Sequence, residues 1–314
     1  MTITTQQPQR ITHTADAVRV IPRLLGFLPE TSFVVIAVNP AREVCLIARL
    51  DLAALEAPAQ WSDGLLRAIR SAAPRGKVML CAYVDPGAEA DAEEALDALA
   101  PIVAQAASPI LGRVIVSGGR FRVLEGDGAR TWQALPERAH ARRSDLVAEL
   151  APAGDLDRSR VAELIAAAPR LSESGRDIAI AHALDVCARS EPTLEEVALL
   201  LASLRDLRVR DTVLWDLMHA KPRTWIGAAD SLTHAVRLAP REETAPVAAL
   251  LSILRWQAGD GTRAVIAIEK ALEAEPDYSL ALLVDAMLTG GLPPAFWREG
   301  LDDLSRDACR QPPP

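Results

Sequence analysis

Ala17, Val20, Ile21, Leu24, Leu25 and Leu28 fall on one helical stripe, with Arg19 and Arg23 on the other side. Thr14 is placed to cap this helix and Asp16 to face its positive end. Pro22 removes a hydrogen bond and costs about 3 kcal/mol inside a helix. A kink is therefore expected there, or two short helices with Pro22 opening the second. Gly26 and Pro29 end the helical part. From Phe33 to Val38 every residue is apolar. A strand with no polar face is covered on both sides, so this one is expected at the centre of a sheet, with the preceding helix as one cover.

Asn39-Pro40-Ala41-Arg42 then makes a short turn, and Val44–Ala48 reads as a second buried strand, antiparallel to the first because so short a link allows only a hairpin. Trp61–Ala73 is amphipathic through Trp61, Leu65, Leu66 and Ile69. Lys77–Val84 is a third strand, and Ala88–Ala106 a helix with Glu89, Asp91, Glu93 and Glu94 in its first turns, as the helix dipole prefers. Ile110–Val116 is a fourth strand. Gly118-Gly119 signals a hairpin, and the alternation Arg120-Phe121-Arg122-Val123 marks a half-exposed fifth strand at an edge. Strand and helix alternating in the middle imply parallel pairing there, so the sheet is mixed. Gly126–Arg143 is polar and reads as a linker, with Trp132 packed on a domain surface.

From Arg143 onward the strand patterns stop. Helical spacing recurs at Asp145–Leu150, Arg158–Ala167, Asp177–Ala188, Leu194–Leu204, Asp211–His219 and Thr224–Leu238, and Thr193 with Glu196 forms a capping box. The charged residues between these stripes read as solvated helix faces. Residues 245–278 resemble a tetratricopeptide repeat. Leu251-Ser252 stands at the large-small pair of the first helix and Gly259 at its turn. Ala264, Ile268, Ala271 and Pro276 stand at the small, large, small and proline positions of the second. Arg255 departs from the usual aromatic. Ala235, Pro240 and Leu232 echo Ala271, Pro276 and Ile268 at an offset of 36 residues, near the ~34-residue period of such repeats. Any helical hairpin needs small residues where helices cross, so a generic bundle stays open beside a solenoid-like array.

These patterns predict an α/β N-terminal domain with a mixed five-stranded sheet (12–126), a linker (127–143) and an all-α tetratricopeptide-like helical array (144–310). The length of 314 residues suits about two domains. The net charge of −8 is carried by the second half: residues 1–150 hold 16 basic and 17 acidic side chains, the remainder 18 and 25. Neither half offers a basic patch, which argues against nucleic-acid binding through phosphates. Cys45, Cys81, Cys187 and Cys309 form no CxxC motif, and the first two sit in apolar strands as small hydrophobes. The opening MTITTQQPQR has no apolar core, so no signal peptide is expected and residues 1–11 read as a loose arm. No run approaches the length of a membrane span. The expected location is cytoplasmic.

RVIPRLLGFLPETSFVVIAV followed by ARLDL resembles the N-terminal signature of a large bacterial domain-of-unknown-function family, common in GC-rich Gram-positive bacteria. RVRDTVL and GDGTRAVIAIEKALEAEPDYSLALLVDAMLTGGLPPAFW resemble its C-terminal signature. The resemblance implies no activity. Many members continue after the hairpin with a tryptophan and a turn ending Cys-Cys-Pro. Here the aromatic is Phe121, and Leu124–Leu135 holds no cysteine.

The candidate ligand-binding residues are Arg49, Asp51 and Asp85. If the second and third strands are parallel neighbours, Asp51 and Asp85 sit at the carboxyl edge of the sheet, where open α/β sheets bind ligands. Two carboxylates there suit Mg²⁺ or acid–base work. The plainer reading, which is favoured, makes Asp51 a cap and Asp85-Pro86-Gly87 ordinary turn chemistry. His13, His140, His182, His219 and His234 form no HxxxH pair and read as packing or surface residues. Ser117-Gly118-Gly119 offers N–H groups to a phosphate, although the hairpin explains it fully. Trp215, Trp225, Trp256 and Trp297 read as core, with one or two available to a binding groove. No catalytic residue, metal or cofactor is assigned, and the absence of catalytic motifs leans against an enzyme. The expected function is a protein-interaction or scaffold module whose helical array docks a protein partner, without direct nucleic-acid or membrane contact. The alternative is an enzyme or a small-ligand or metal sensor at the sheet edge. A weaker third idea is a component of DNA maintenance.

Overall fold

The computed structural model describes residues 9–106, 108–126, 130–136 and 141–310. Two compact units emerge. The first holds the chain up to Asp145 together with Gly259–Thr262 and Met287–Pro293; the second holds Leu146–Ala258, Arg263–Ala286 and the chain from Pro294 on.

In the first unit, residues 9–11 are tied down rather than loose. Ile11 N–H donates to the Arg42 carbonyl, and Val44 N–H to that of Gln9, both as backbone bonds. The rest of the expected arm lies outside the described residues. Asp16, not Thr14, closes the helix start: its carboxylate accepts from the backbone N–H of Thr12 at 2.9 Å and of His13 at 2.7 Å. Helix α1 (Ala17–Leu25) runs on through Pro22, with Gly26 at φ 80° ending it. Pro22 is buried with Val18, Ile21 and Leu25, and that burial offsets the single lost bond.

Strand β1 (Ser32–Val38) is buried at every residue, as a strand with two apolar faces requires. It pairs antiparallel with β2 (Val44–Asp51) across the expected hairpin, with a bulge at Cys45. Helix α2 (Ser62–Ala72), β3 (Lys77–Val84), α3 (Glu89–Ala104), β4 (Ile110–Ser117), β5 (Arg120–Glu125) and β6 (Gln133–Ala134) follow. The order is β2-β1-β3-β4-β5-β6, and only β3 and β4 are parallel. The mixed sheet thus has six strands rather than five. The sixth is two residues of the segment expected as linker. It pairs with Arg120 and Phe121, so among the described residues β5 is an open edge only beyond them. Ser117 and Arg120 close the hairpin around Gly118 (φ 54°) and Gly119 (φ 72°), two successive positive-φ positions that glycine adopts without strain.

Phe33, Val35, Ala37, Leu46, Ala48, Leu80 and Ala82 line one sheet face and pack with Leu65, Leu66 and Ile69 of α2 and Leu96, Leu99 and Val103 of α3. The acidic residues of α3 also reach the sheet. Glu89 accepts from the Ser117 hydroxyl at 2.7 Å, Glu93 pairs with Arg122 at 2.9 Å, and Asp97 pairs with Arg113. Trp132 is partly buried against this layer, with the Arg120 and Arg122 guanidiniums 5.6 and 5.4 Å from its ring.

Helix α4 (Arg143–Ala148) spans the division between the units. The helical unit then comprises α5 (Asp155–Ala167), α6 (Gly175–Cys187), α7 (Leu194–Ser203), α8 (Leu207–His219), α9 (Pro222–Leu238), α10 (Arg241–Gln257), α11 (Gly261–Ala274) from Arg263 on, α12 (Ser279–Thr289) up to Ala286, α13 (Pro294–Asp302) and α14 (Arg306–Arg310). The Thr193–Glu196 capping box forms in both directions. Helices α5 and α6 both pack against α7, and α9 packs against α6 and α10. The Ser252 hydroxyl donates to the Ala264 carbonyl at 2.8 Å, the close helix crossing its small side chain permits.

Candidate functional site

The helical unit carries a groove of about 560 Å³. The end of α5 supplies Ile165 and Ala168; the link to α6 supplies Pro169, Arg170 and Leu171. Ile178, Ala179 and His182 come from α6, and Leu199, Ala202 and Ser203 from α7. Arg205 and Asp206, between α7 and α8, complete it. The volume lies within the ~300–1,000 Å³ of ligand sites. Its wall is mostly apolar, and Ile178 (74% exposed) and Leu199 (45% exposed) show large apolar side chains to solvent.

The polar lining is ordered by the surrounding helices. Asp206 caps α8 by accepting from the Arg208 N–H at 3.0 Å and pairs with Arg176 of α6 at 2.8 Å. Burial raises the Asp206 carboxyl, but Arg176 and the Arg208 N–H outweigh it and hold the group below the usual carboxylate range. Arg205 donates through Nε to Glu243 Oε1 at 2.7 Å and through Nη2 to the same oxygen. Glu243 is 3% exposed, whereas the Arg205 side chain is 56% exposed. The Ser203 hydroxyl donates to Leu199 O at 2.6 Å, and a His182 ring nitrogen lies 3.2 Å from Glu196 O.

At the sheet edge, Arg49 and Asp51 lie together as an ion pair, with Arg49 also 6.0 Å from the centre of the Phe27 ring. Asp85 is not with them. Strands β2 and β3 run the same way but are not neighbours, because β1 lies between them. Two strand spacings, about 10 Å, therefore separate their ends. Asp51 stands at the start of a 3-10 turn without a side-chain cap bond. Asp85 opens a tight turn, with Ala88 N–H donating to its carbonyl at 3.1 Å and Gly87 at φ 99°. Beside that turn, Glu89 accepts from the Ser117 hydroxyl at 2.7 Å and from the Gly87 N–H at 2.8 Å, which places a carboxylate of this chain next to the Ser117-Gly118-Gly119 turn. In the β1–β3 row next to Asp51, Ser32 Oγ and Tyr83 OH are buried without partners among the described residues, as is Arg49 Nε.

Among the described residues no three His, Cys, Asp or Glu side chains are grouped to hold a metal. His182 lines the groove, and His219 stacks on Trp215 with ring centres 3.6 Å apart. Burial, with Arg237 nearby, lowers His234. His140 lies outside the described residues. None of the four helical-half tryptophans lines the groove. Trp215 and Trp225 bond the carbonyls of Leu304 and Leu217, and Trp256 meets Trp297 edge to face at 6.4 Å. The groove's own residues had no sequence signal beyond a helical stripe that leaves Ile178 and Leu199 off the buried side.

No helix among the described residues is long and apolar enough to cross a membrane. No curated protein and no solved structure matches the chain. A family model does: the domain of unknown function DUF4192 matches residues 15–295, and the chain belongs to that family.

Proposed function

We propose that this is a cytoplasmic protein-interaction module whose helical unit receives an apolar segment of a partner protein in the α5–α6–α7 groove. The observation that carries the reading is the groove itself, with Ile178 and Leu199 exposed on its walls. Such a site takes an amphipathic helix through apolar residues at i, i+3, i+4 and i+7. Charge complementarity favours a segment that also carries an acidic residue, because Arg170 has no ion-pair partner among the described residues while Asp206 is matched by Arg176. Our reading of the chain as an α/β domain (12–126), a linker (127–143) and a tetratricopeptide-like array (144–310) belongs to the same proposal.

The test is a pair of full-length variants, Ile178→Asp and Leu199→Asp. Both side chains are exposed, so thermal stability is expected to stay within about 0.5 kcal/mol of the parent. A partner held by the parent chain should be lost by both variants and kept by Ile226→Asp, a change at an exposed apolar residue of α9 outside the groove. Retention by the groove variants, or equal loss from all three, contradicts the reading.

A second reading places a small ligand at the Arg49–Asp51 pair. It is supported by the unpartnered Arg49 Nε, Ser32 Oγ and Tyr83 OH nearby in the sheet. Those atoms are shut off from solvent, which favours the groove.

A further inference from the structure

We propose that Arg205, anchored by Glu243, is the residue that reads the partner: it hydrogen-bonds a carboxylate on the docked segment, and Arg170 supplies the charge that neutralises it. This rests on the groove reading and deepens it. Of the five N–H donors of a guanidinium, two are spent on Glu243 Oε1, through Nε and Nη2. Three remain on a side chain that is more than half exposed and lines the groove. Its anchor is a nearly buried carboxylate on α10, so the fork is held in one place before anything binds, and less side-chain entropy is lost on binding.

The charges point the same way. Glu243 balances Arg205, and Arg176 balances Asp206. Arg170 is exposed, lines the groove and has no ion-pair partner among the described residues. The lining is therefore left with one uncompensated positive charge in a chain of net charge −8. A planar fork with free N–H groups and an uncompensated cation in the lining of one groove suit a carboxylate, which accepts through two oxygens. An apolar segment without an acid fills the walls and leaves both arginines unanswered. The ligand class is thus an apolar, acid-bearing segment of a partner protein.

The test uses two dyes of like apolar body on the full chain: anionic 8-anilinonaphthalene-1-sulfonate and uncharged N-phenyl-1-naphthylamine. Arg205→Gln alone strands a buried charge at Glu243 and risks the fold. The working variants are therefore Arg170→Gln, Glu243→Gln, and the double change Arg205→Gln with Glu243→Gln. Loss of a hydrogen bond to a charged group predicts about tenfold weaker binding of the anionic dye by the double variant, with the uncharged dye within about twofold. Arg170→Gln is expected to weaken the anionic dye selectively as well. Glu243→Gln keeps the guanidinium but loosens it, and should fall between parent and double variant. The inference is overturned if both dyes weaken equally, or if the anionic dye is indifferent to all three variants. If Ile178→Asp leaves both dyes bound as before, they do not bind in the groove, and the groove reading falls together with this inference.

Discussion

Arg210 Nη1 donates to the hydroxyl of Tyr278 at 2.6 Å, 68 residues further along the chain, inside the helical unit. The guanidinium also lies 5.5 Å from the centre of the Tyr278 ring and donates through Nε to Asp211 at 2.8 Å. The bond joins RVRDTVL in α8 to EPDYSL, which leads into α12. Burial pushes the Tyr278 hydroxyl up, against the pull of Arg210, so it stays protonated at neutral pH.

Tyr278→Phe should cost about 1–3 kcal/mol, because it leaves a buried guanidinium N–H without its acceptor. Arg210→Met removes the donor at similar volume and is also expected to destabilise. The double variant should cost less than the sum of the singles, since no unpaired partner remains. Chemical denaturation of the four proteins checks this; additive losses would show that the bond contributes nothing specific.

Val35 is fully buried in β1, paired with Ala48 on one side and Leu80 on the other. Val35→Asp places an unpaired carboxylate between two covered faces and should cost several kcal/mol, a large part of a typical ~5–15 kcal/mol stability. The expected outcome is no soluble, cooperatively melting protein. Soluble expression with a sharp thermal transition would refute the central place of β1.

Asp51 is 69% exposed and pairs with a partly buried Arg49. Asp51→Asn is therefore expected to change stability by no more than about 0.5–1 kcal/mol. Millimolar Mg²⁺ should shift the melting temperature of neither protein, because β1 separates the ends of β2 and β3. A rise of several degrees in the parent that vanishes in the variant would instead make the sheet edge a cation site.

Asp206 gives the groove an acid-sensitive edge. Its folded carboxyl lies below the ordinary value of about 3.9. Its contribution is therefore present above about pH 4 and lost as the pH falls through the folded value. Asp206→Asn should lower stability at neutral pH, and the gap to the parent should close on acidification. Melting curves from pH 7 to pH 3 read this directly; a gap that widens in acid has the wrong sign.

Much of the architecture is written in local pattern. Phe33–Val38 has no polar residue, and so reads as central without any knowledge of its neighbours. The positive-φ pair Gly118-Gly119 and the Thr193–Glu196 box are short-range chemistry that survives folding intact. Strand order is different. Nothing in β2 or β3 records that β1 lies between them, so the pairing of their ends was out of reach. Strand β6 is two residues long and carries no alternation to read. The groove was illegible for a related reason: it arises where α5 and α6 meet α7, and Arg170, Arg205 and Asp206 are scattered charges until those helices pack. Arg49 and Asp51 stand at i and i+2 on one face of β2 and form an ion pair, whereas the sequence pairs Asp51 with Asp85.

The most direct measurement is site-specific photo-crosslinking in cells, with p-benzoylphenylalanine placed at Leu199 and, as a control, at Ile226. Mass spectrometry of the crosslinked peptides identifies what lies within reach of each position. A partner segment with apolar residues at helical spacing and at least one Asp or Glu, captured at Leu199 and absent at Ile226, is the predicted result. Crosslinks at Leu199 that map to no recurrent segment, or that match those at Ile226, would contradict the account.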